Sequence, residues 1–241
     1  MAEVMTAHFW MGLLTIIWVN IILSGDNAVV IALAARSLPA RQQKLAIIYG
    51  AGAAVVLRII LTIVAVELLK LPYLKILGGL LLLYIAVKLL VPEDDGDGGI
   101  ESSSNLWSAI KTILIADLVM STDNVLAVAA AAKGSIVLLT LGLAISIPIC
   151  VLGATLLMVL MERFPIIVTL GAAILGWTAG EMGVTDPTVA QWVTENAHLL
   201  EWVAPAVGAI LVVIVGKWLA GRAAKERKPV VDLAGEEPQQ H

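Results

Sequence analysis

Apolar residues in this chain do not alternate; they run in long blocks, near residues 9–35, 45–68, 72–91, 108–132, 135–160, 164–182 and 202–220. A bilayer core takes roughly 20 apolar residues per spanning helix, so the pattern predicts an all-α polytopic membrane protein of about seven transmembrane helices. The breaks carry turn and loop signals: Pro39, the acidic run 92–101 (PEDDGDGGIE), Arg163 with Pro165, and the polar stretch from Gly183 to Glu201. Inside that last stretch, Asp186 and Pro187 read as the N-cap and first residue of a short helix whose apolar face is Val189, Trp192 and Val193. Such a helix is expected to lie at the membrane interface. The first apolar run is too long for a signal-peptide core and lacks a basic leader, so it is read as a retained helix. The whole of 1–228 forms one membrane domain in this reading, and the polar tail 229–241 is expected to be disordered.

Composition narrows the class. The chain is 60% hydrophobic and 14% charged, with a mean hydropathy of +0.96, whereas soluble domains carry roughly 25% charged residues. A soluble fold is excluded. The net charge of -4 and the scattered lysines and arginines form no basic face, so nucleic acid is not a partner. The single cysteine, Cys150, lies in an apolar run and rules out an intramolecular disulfide.

Charge also orients the chain. Arg36, Arg41 and Lys44 follow the first span, and Lys217, Arg222, Lys225, Arg227 and Lys228 follow the last. Cytoplasmic loops retain lysine and arginine, so the expectation is an inner (plasma) membrane protein with its N-terminus outside and C-terminus in the cytoplasm. The acidic run 92–101 falls on the same side, but acidic residues count little in this rule.

The chain repeats itself. Asn20-Ile-Ile-Leu-Ser24-Gly25-Asp26-Asn27 aligns with Asp117-Leu-Val-Met-Ser121-Thr122-Asp123-Asn124 at an offset of 97, and Leu71-Pro72 to Gly78 aligns with Phe164-Pro165 to Gly171 at an offset of 93. Spans 1 to 3 (7–91) therefore match spans 4 to 6 (107–182). A unit with an odd number of spans enters the membrane from the side opposite to its twin, which gives an inverted repeat of the kind secondary transporters use. The seventh span (201–220) has no twin and reads as an added support.

Asp26 and Asp123 interrupt long uncharged runs, and an intramembrane carboxylate is costly unless something compensates it. A lone aspartate is satisfied by a serine or an amide, but two copies of S-x-D-N at matched positions point to an ion near the midplane. The donors at hand are the carboxylates of Asp26, Asp117 and Asp123 and the amide oxygens of Asn20, Asn27 and Asn124, a hard-oxygen set suited to magnesium, calcium or manganese. His8, His198 and His241 sit at predicted edges or in the tail, and no Cys-x-x-Cys exists, which disfavours zinc or copper. No prosthetic group is expected; the divalent cation is cargo.

Asn20, Ser24 and Asn27 share a helix face, while Asp26 sits about 100° from Asn27 in a regular helix. Both reach one ion only if the helix is broken, and Ser24-Gly25-Asp26 supplies a flexible residue and a cap for a restarted half. Thr122 replaces Gly25 in the second copy, so a milder distortion is expected there, with Ser121 in a supporting role. Arg58 falls mid-span and must be paired; its expected partners are the site carboxylates, with Glu67 as the rival. Ser146 and Pro148 hold the matching part of span 5, where Pro148 reads as a packing kink or a gate. Lys88 and Glu181 are repeat equivalents at opposite membrane surfaces and read as solvated helix ends, with ion entry a lesser role for Glu181. The acidic loop lacks EF-hand spacing and reads as solvated.

The paired S-G-D-N and S-T-D-N motifs in a seven-span frame resemble the TerC family of membrane proteins, named for tellurium resistance. That resemblance implies manganese export from the cytoplasm, a fold related to the LysE-type exporters, and metal binding at Asp26, Asn27, Asp123 and Asn124. Two other classes fit part of the pattern. An intramembrane aspartyl protease also needs two aspartates on separate helices, but its Y-D, G-x-G-D and P-A-L signatures are absent, and no enzyme is expected. A non-transporting scaffold or assembly factor for stress proteins would tolerate neutral residues at Asp26 and Asp123. Manganese and calcium are not separated by this ligand set, and the oligomeric state is left open, a homo-oligomer included.

Overall fold

The computed structural model describes residues 7–23, 25–68, 71–91, 102–132 and 135–226. They form α1 (Ala7–Leu23), α2 (Gly25–Ala35), α3 (Ala40–Leu68), α4 (Leu74–Leu90), α5 (Ser102–Ala132), α6 (Ile136–Arg163), α7 (Ile166–Val184), α8 (Ala190–Asn196) and α9 (Leu200–Glu226), with no strand among the described residues. The seven apolar runs correspond to α1 with α2, then α3, α4, α5, α6, α7 and α9. The loop 92–101 and the tail from 227 lie outside the described residues.

Four segments are long and apolar enough to cross a bilayer: Ala40–Thr62, Thr140–Arg163, Ile166–Val184 and Leu200–Lys225. Only 18–33% of each apolar window is buried within the protein, and side chains such as Trp18, Tyr84, Leu152 and Ile214 point outward. An apolar exterior of this extent is stable only against lipid, and helices suit it because they satisfy their own backbone.

Helix pairing follows the repeat. The α1–α2 span lies along α6, α3 lies along α5, and α4 packs on α7. Exchanging the two halves turns the first pairing into the second and leaves the third unchanged, as a pseudo-two-fold axis demands. One contact occurs twice: a Cβ on Gly50 would meet the Ile113 side chain at 2.8 Å, and one on Gly142 would meet Ile16 Cβ at 3.0 Å. Ile16 and Ile113 are 97 apart, like the D-N motifs, and Gly50 and Gly142 are 92 apart.

The untwinned α9 packs on α7 and α4. Its seam with α7 is built of small residues: a Cβ on Gly176 would lie 2.5 Å from the Gly208 carbonyl oxygen, and one on Gly180 would lie 2.7 Å from Pro205 Cα. Close backbone approach of this kind is how helices gain dispersion contact where lipid removes the hydrophobic drive. Gly176→Leu is expected to lower stability by about 1–3 kcal/mol or more, whereas Gly183→Leu, where nothing lies within 4 Å of the added Cβ, is expected to be near neutral. Thermal unfolding of the two variants in detergent separates them.

Contacts also fix which helix ends share a surface. Arg36, just past α2, donates from Nη2 to the Leu89 carbonyl at 2.9 Å, and Leu90 packs beside Gly216 of α9. The basic residues after the first span and those of the last span therefore gather at one end of the bundle.

Asp186 corrects the expectation made for it. α8 begins at Ala190 with Val189 as its N-cap and no side-chain cap, and of its expected apolar face Val193 is buried while Trp192 is exposed. The Asp186 carboxylate, fully buried, instead accepts the Tyr73, Lys75 and Ile76 amides at 3.3, 3.1 and 3.4 Å, together with the Thr188 amide at 2.9 Å and hydroxyl at 2.5 Å. It caps α4 from 110 residues or more away, where Tyr73 adopts a left-handed φ of 63°. Burial raises its pKa, but the Thr188 hydroxyl and these amides outweigh that and hold it below the ordinary carboxylate value. A depressed folded-state pKa means the clamp is intact above the ordinary value and is lost as pH falls through the folded one. The melting-temperature advantage of wild type over Asp186→Asn is therefore expected to be full above about pH 5 and to shrink below about pH 4.

Candidate ion site at the repeat interface

The first motif sits at a helix start. α1 ends at Leu23 and α2 begins at Gly25, and the Asn27 amide donates to Asp26 Oδ1 at 2.8 Å. Asp26 lies in the first turn of α2, where a carboxylate is favoured by the helix dipole. The second motif differs: α5 is continuous from Ser102 to Ala132, through Ser121 to Asn124.

Arg58 of α3 enters the same region. It is 3% exposed, and its Nη2 donates to Asp117 Oδ1 at 2.5 Å while Nε donates to Ser121 Oγ at 2.9 Å. Ser121 Oγ in turn donates to Asp117 Oδ2 at 3.1 Å, closing a ring. Asp117 and Ser121 are one turn apart on α5, which puts both on the face toward Arg58. Of the partners expected for Arg58, the site carboxylate Asp117 is the one observed. Each Asp117 oxygen holds a donor, as a buried ion pair requires.

Asp26 lies within electrostatic reach of both Arg58 and Asp117, and Cys150 of α6 lies within reach of all three. Four elements from both repeats, α2, α3, α5 and α6, thus converge on one buried polar centre, to which Asn27 and Asn124 add side chains that are 3% and 8% exposed. Counting eight residues on from Gly50 and Gly142, Arg58 and Cys150 are equivalent, just as Asp117 corresponds to Asn20. The second repeat carries the extra carboxylate and the first repeat the extra cation, and the two meet across the repeat interface.

The side chains of Asn20, Ser24, Glu67, Asp123 and Ser146 lie outside the described residues, as do Lys133, the side chain of His8, and His241. Among the described residues no three His, Cys, Asp or Glu side chains form a metal-sized group; Asp26 and Asp117 are the carboxylates present at the centre. α6 runs through Pro148, which is exposed and, lacking an N–H, leaves the Ala144 carbonyl without its helical donor. His198 is a surface residue beside Glu201, at 3.6 Å. Glu181 and Glu201 line a cavity of about 450 Å³ with Trp177 and Trp202, at the end of the bundle opposite Lys88. Sequence spacing contains the Asp117–Ser121 turn; the choice of Asp117 by Arg58 has no local signal.

The family model described as "Integral membrane protein TerC family" matches residues 5–228. The chain belongs to the TerC family. Among TerC-like relatives, the chain is 40% identical over 210 residues to "Uncharacterized membrane protein YjbE" of Bacillus subtilis (strain 168), covering 87% of this chain and 95% of the relative. It is 28% identical over 190 residues to "Uncharacterized membrane protein YceF" of the same organism, covering 75% and 74%. No solved structure matches this TerC-family chain.

Proposed function

We propose that this TerC-family protein is a membrane transporter that exports a divalent cation, manganese before calcium, through the centre where its two repeats meet. The observation that carries the reading is Asp26 in the first turn of α2, its carboxylate accepting the Asn27 amide, within reach of a buried Arg58–Asp117 pair. Because Arg58 neutralises Asp117, the carboxylates left over are Asp26 and its repeat twin Asp123, two negative charges for one dication. The amide oxygens of Asn27 and Asn124 add further hard-oxygen donors. Asp117 joins them only by giving up Arg58, so the pair supplies the counter-charge while the site is empty. Magnesium sheds its water reluctantly, which favours manganese in a site made of protein oxygens. Inverted repeats of this type pass their cargo by rocking one half against the other. The basic end of the bundle faces the cytoplasm in this reading.

Purified protein in liposomes loaded with a manganese-quenched dye tests it. Protein-dependent manganese flux, competed weakly by magnesium and more strongly by calcium, is the expected result. Absence of flux with any of the three, from protein that is folded, rejects transport and leaves the scaffold reading.

A further inference from the structure

A second polar cavity, of about 50 Å³, lies at the basic end of the bundle where α2 and α4 end and α5 passes; Arg36, Ser37, Lys88, Ser108 and Thr112 are its polar lining. A water needs roughly 10–15 Å³ of such volume, so the space matches one tetrahedral oxyanion. Among the described residues its chemistry is one-sided, with two cations, three hydroxyls and no carboxylate. Arg36 is half-buried, and one of its five donors is spent on the Leu89 carbonyl, which pins the guanidinium against α4. Neither Arg36 nor Lys88 has a carboxylate within ion-pair distance among the described residues. The Thr112 hydroxyl donates to the Ser108 carbonyl at 2.9 Å, leaving the hydroxyls of Ser37 and Ser108 to donate beside the two cations. A partly desolvated guanidinium in a cavity with no counter-charge among the described residues is a candidate site for an external anion, and the planar fork suits phosphate. Basic pockets between membrane helices at the cytoplasmic surface hold lipid phosphates in this way.

We propose that this cavity binds a phosphate group, through Arg36 and Lys88 as charges and Ser37 and Ser108 as donors. The group comes either from an anionic phospholipid headgroup or from free phosphate, and once bound it ties the end of α2 to α4 and α5. The site is separate from the ion centre and does not depend on the transport reading.

The test is thermal unfolding of the full-length chain in neutral detergent, titrated with inorganic phosphate, with phosphatidylglycerol and with phosphatidylcholine. Saturable stabilisation by phosphatidylglycerol alone identifies the headgroup, and stabilisation by inorganic phosphate identifies the free ion; both support the site. Arg36→Gln and Lys88→Gln are each expected to weaken the half-saturating concentration about tenfold or more, while Lys225→Gln on α9, outside the cavity, leaves it unchanged. Should Arg36→Gln fail to fold for want of its tie to Leu89, Lys88→Gln still decides, because Lys88 is exposed and holds no partner among the described residues. The proposal is overturned if neither phosphate source protects the wild type, if Lys88→Gln titrates like wild type, or if Lys225→Gln weakens binding as much as Lys88→Gln. It is also overturned if protection appears only after Glu93, Asp94, Asp95 and Asp97 are neutralised, since the counter-charge is then the chain's own.

Discussion

Asp26→Asn is expected to cut manganese flux at least about 100-fold, since loss of a supporting group beside a metal already costs 10–100-fold and this change removes a charged ligand. The protein should still fold. An asparagine oxygen accepts the Asn27 amide as the carboxylate does, so α2 keeps its start, and the melting temperature should move by no more than a few degrees. Asp26→Ala removes that acceptor too and should cost about 1 kcal/mol in addition. Flux and melting temperature measured on the same preparations separate a lost ligand from a lost helix start. If Asp26→Asn melts like wild type and transports like wild type, Asp26 is not a ligand.

The second large effect concerns stability. Arg58→Cys alone strands Asp117 in a buried site, and Asp117→Asn alone strands Arg58; breaking a buried pair from one side costs about 3–5 kcal/mol. The double variant Arg58→Cys with Asp117→Asn copies the residues at the twin positions, Cys150 of the second repeat and Asn20 of the first. Replacing both partners of a buried ion pair by neutral groups is often neutral in stability, so the double variant should recover to within about 1–2 kcal/mol of wild type. A double-mutant cycle read by chemical or thermal unfolding gives the coupling. Additive losses would mean that Arg58 and Asp117 do not compensate each other in the membrane.

Much of the architecture was legible in the sequence because membrane spans are written as length and apolarity, and each of the seven runs corresponds to a described helix or helix pair. The inverted repeat was legible from the offset of the D-N motifs, and the doubled Gly50–Ile113 and Gly142–Ile16 contact expresses it in packing. What the sequence did not carry is contact between residues far apart along the chain. Arg58 and Asp117 are 59 apart, and the packing of α3 on α5 is what brings them together. Asp186 shows the same limit: Asp-Pro reads locally as a helix start, yet the carboxylate is drawn to the open amides of α4, brought near by the antiparallel packing of α7 on α4. The cavity around Arg36 and Lys88 was likewise invisible, because a residue counted as topological charge and one read as a solvated helix end line one space only where the ends of α2 and α4 meet α5.

The central claim is that one cation sits between the two repeats, held by a carboxylate from each. Manganese binding to the solubilised protein, followed by electron paramagnetic resonance, tests it most directly across wild type, Asp26→Asn, Asp123→Asn and the double variant. A single shared site predicts one manganese per chain in wild type, loss of binding in either single variant, and no further loss in the double. Undiminished binding in both single variants, or two independent sites of which each variant removes one, would contradict it.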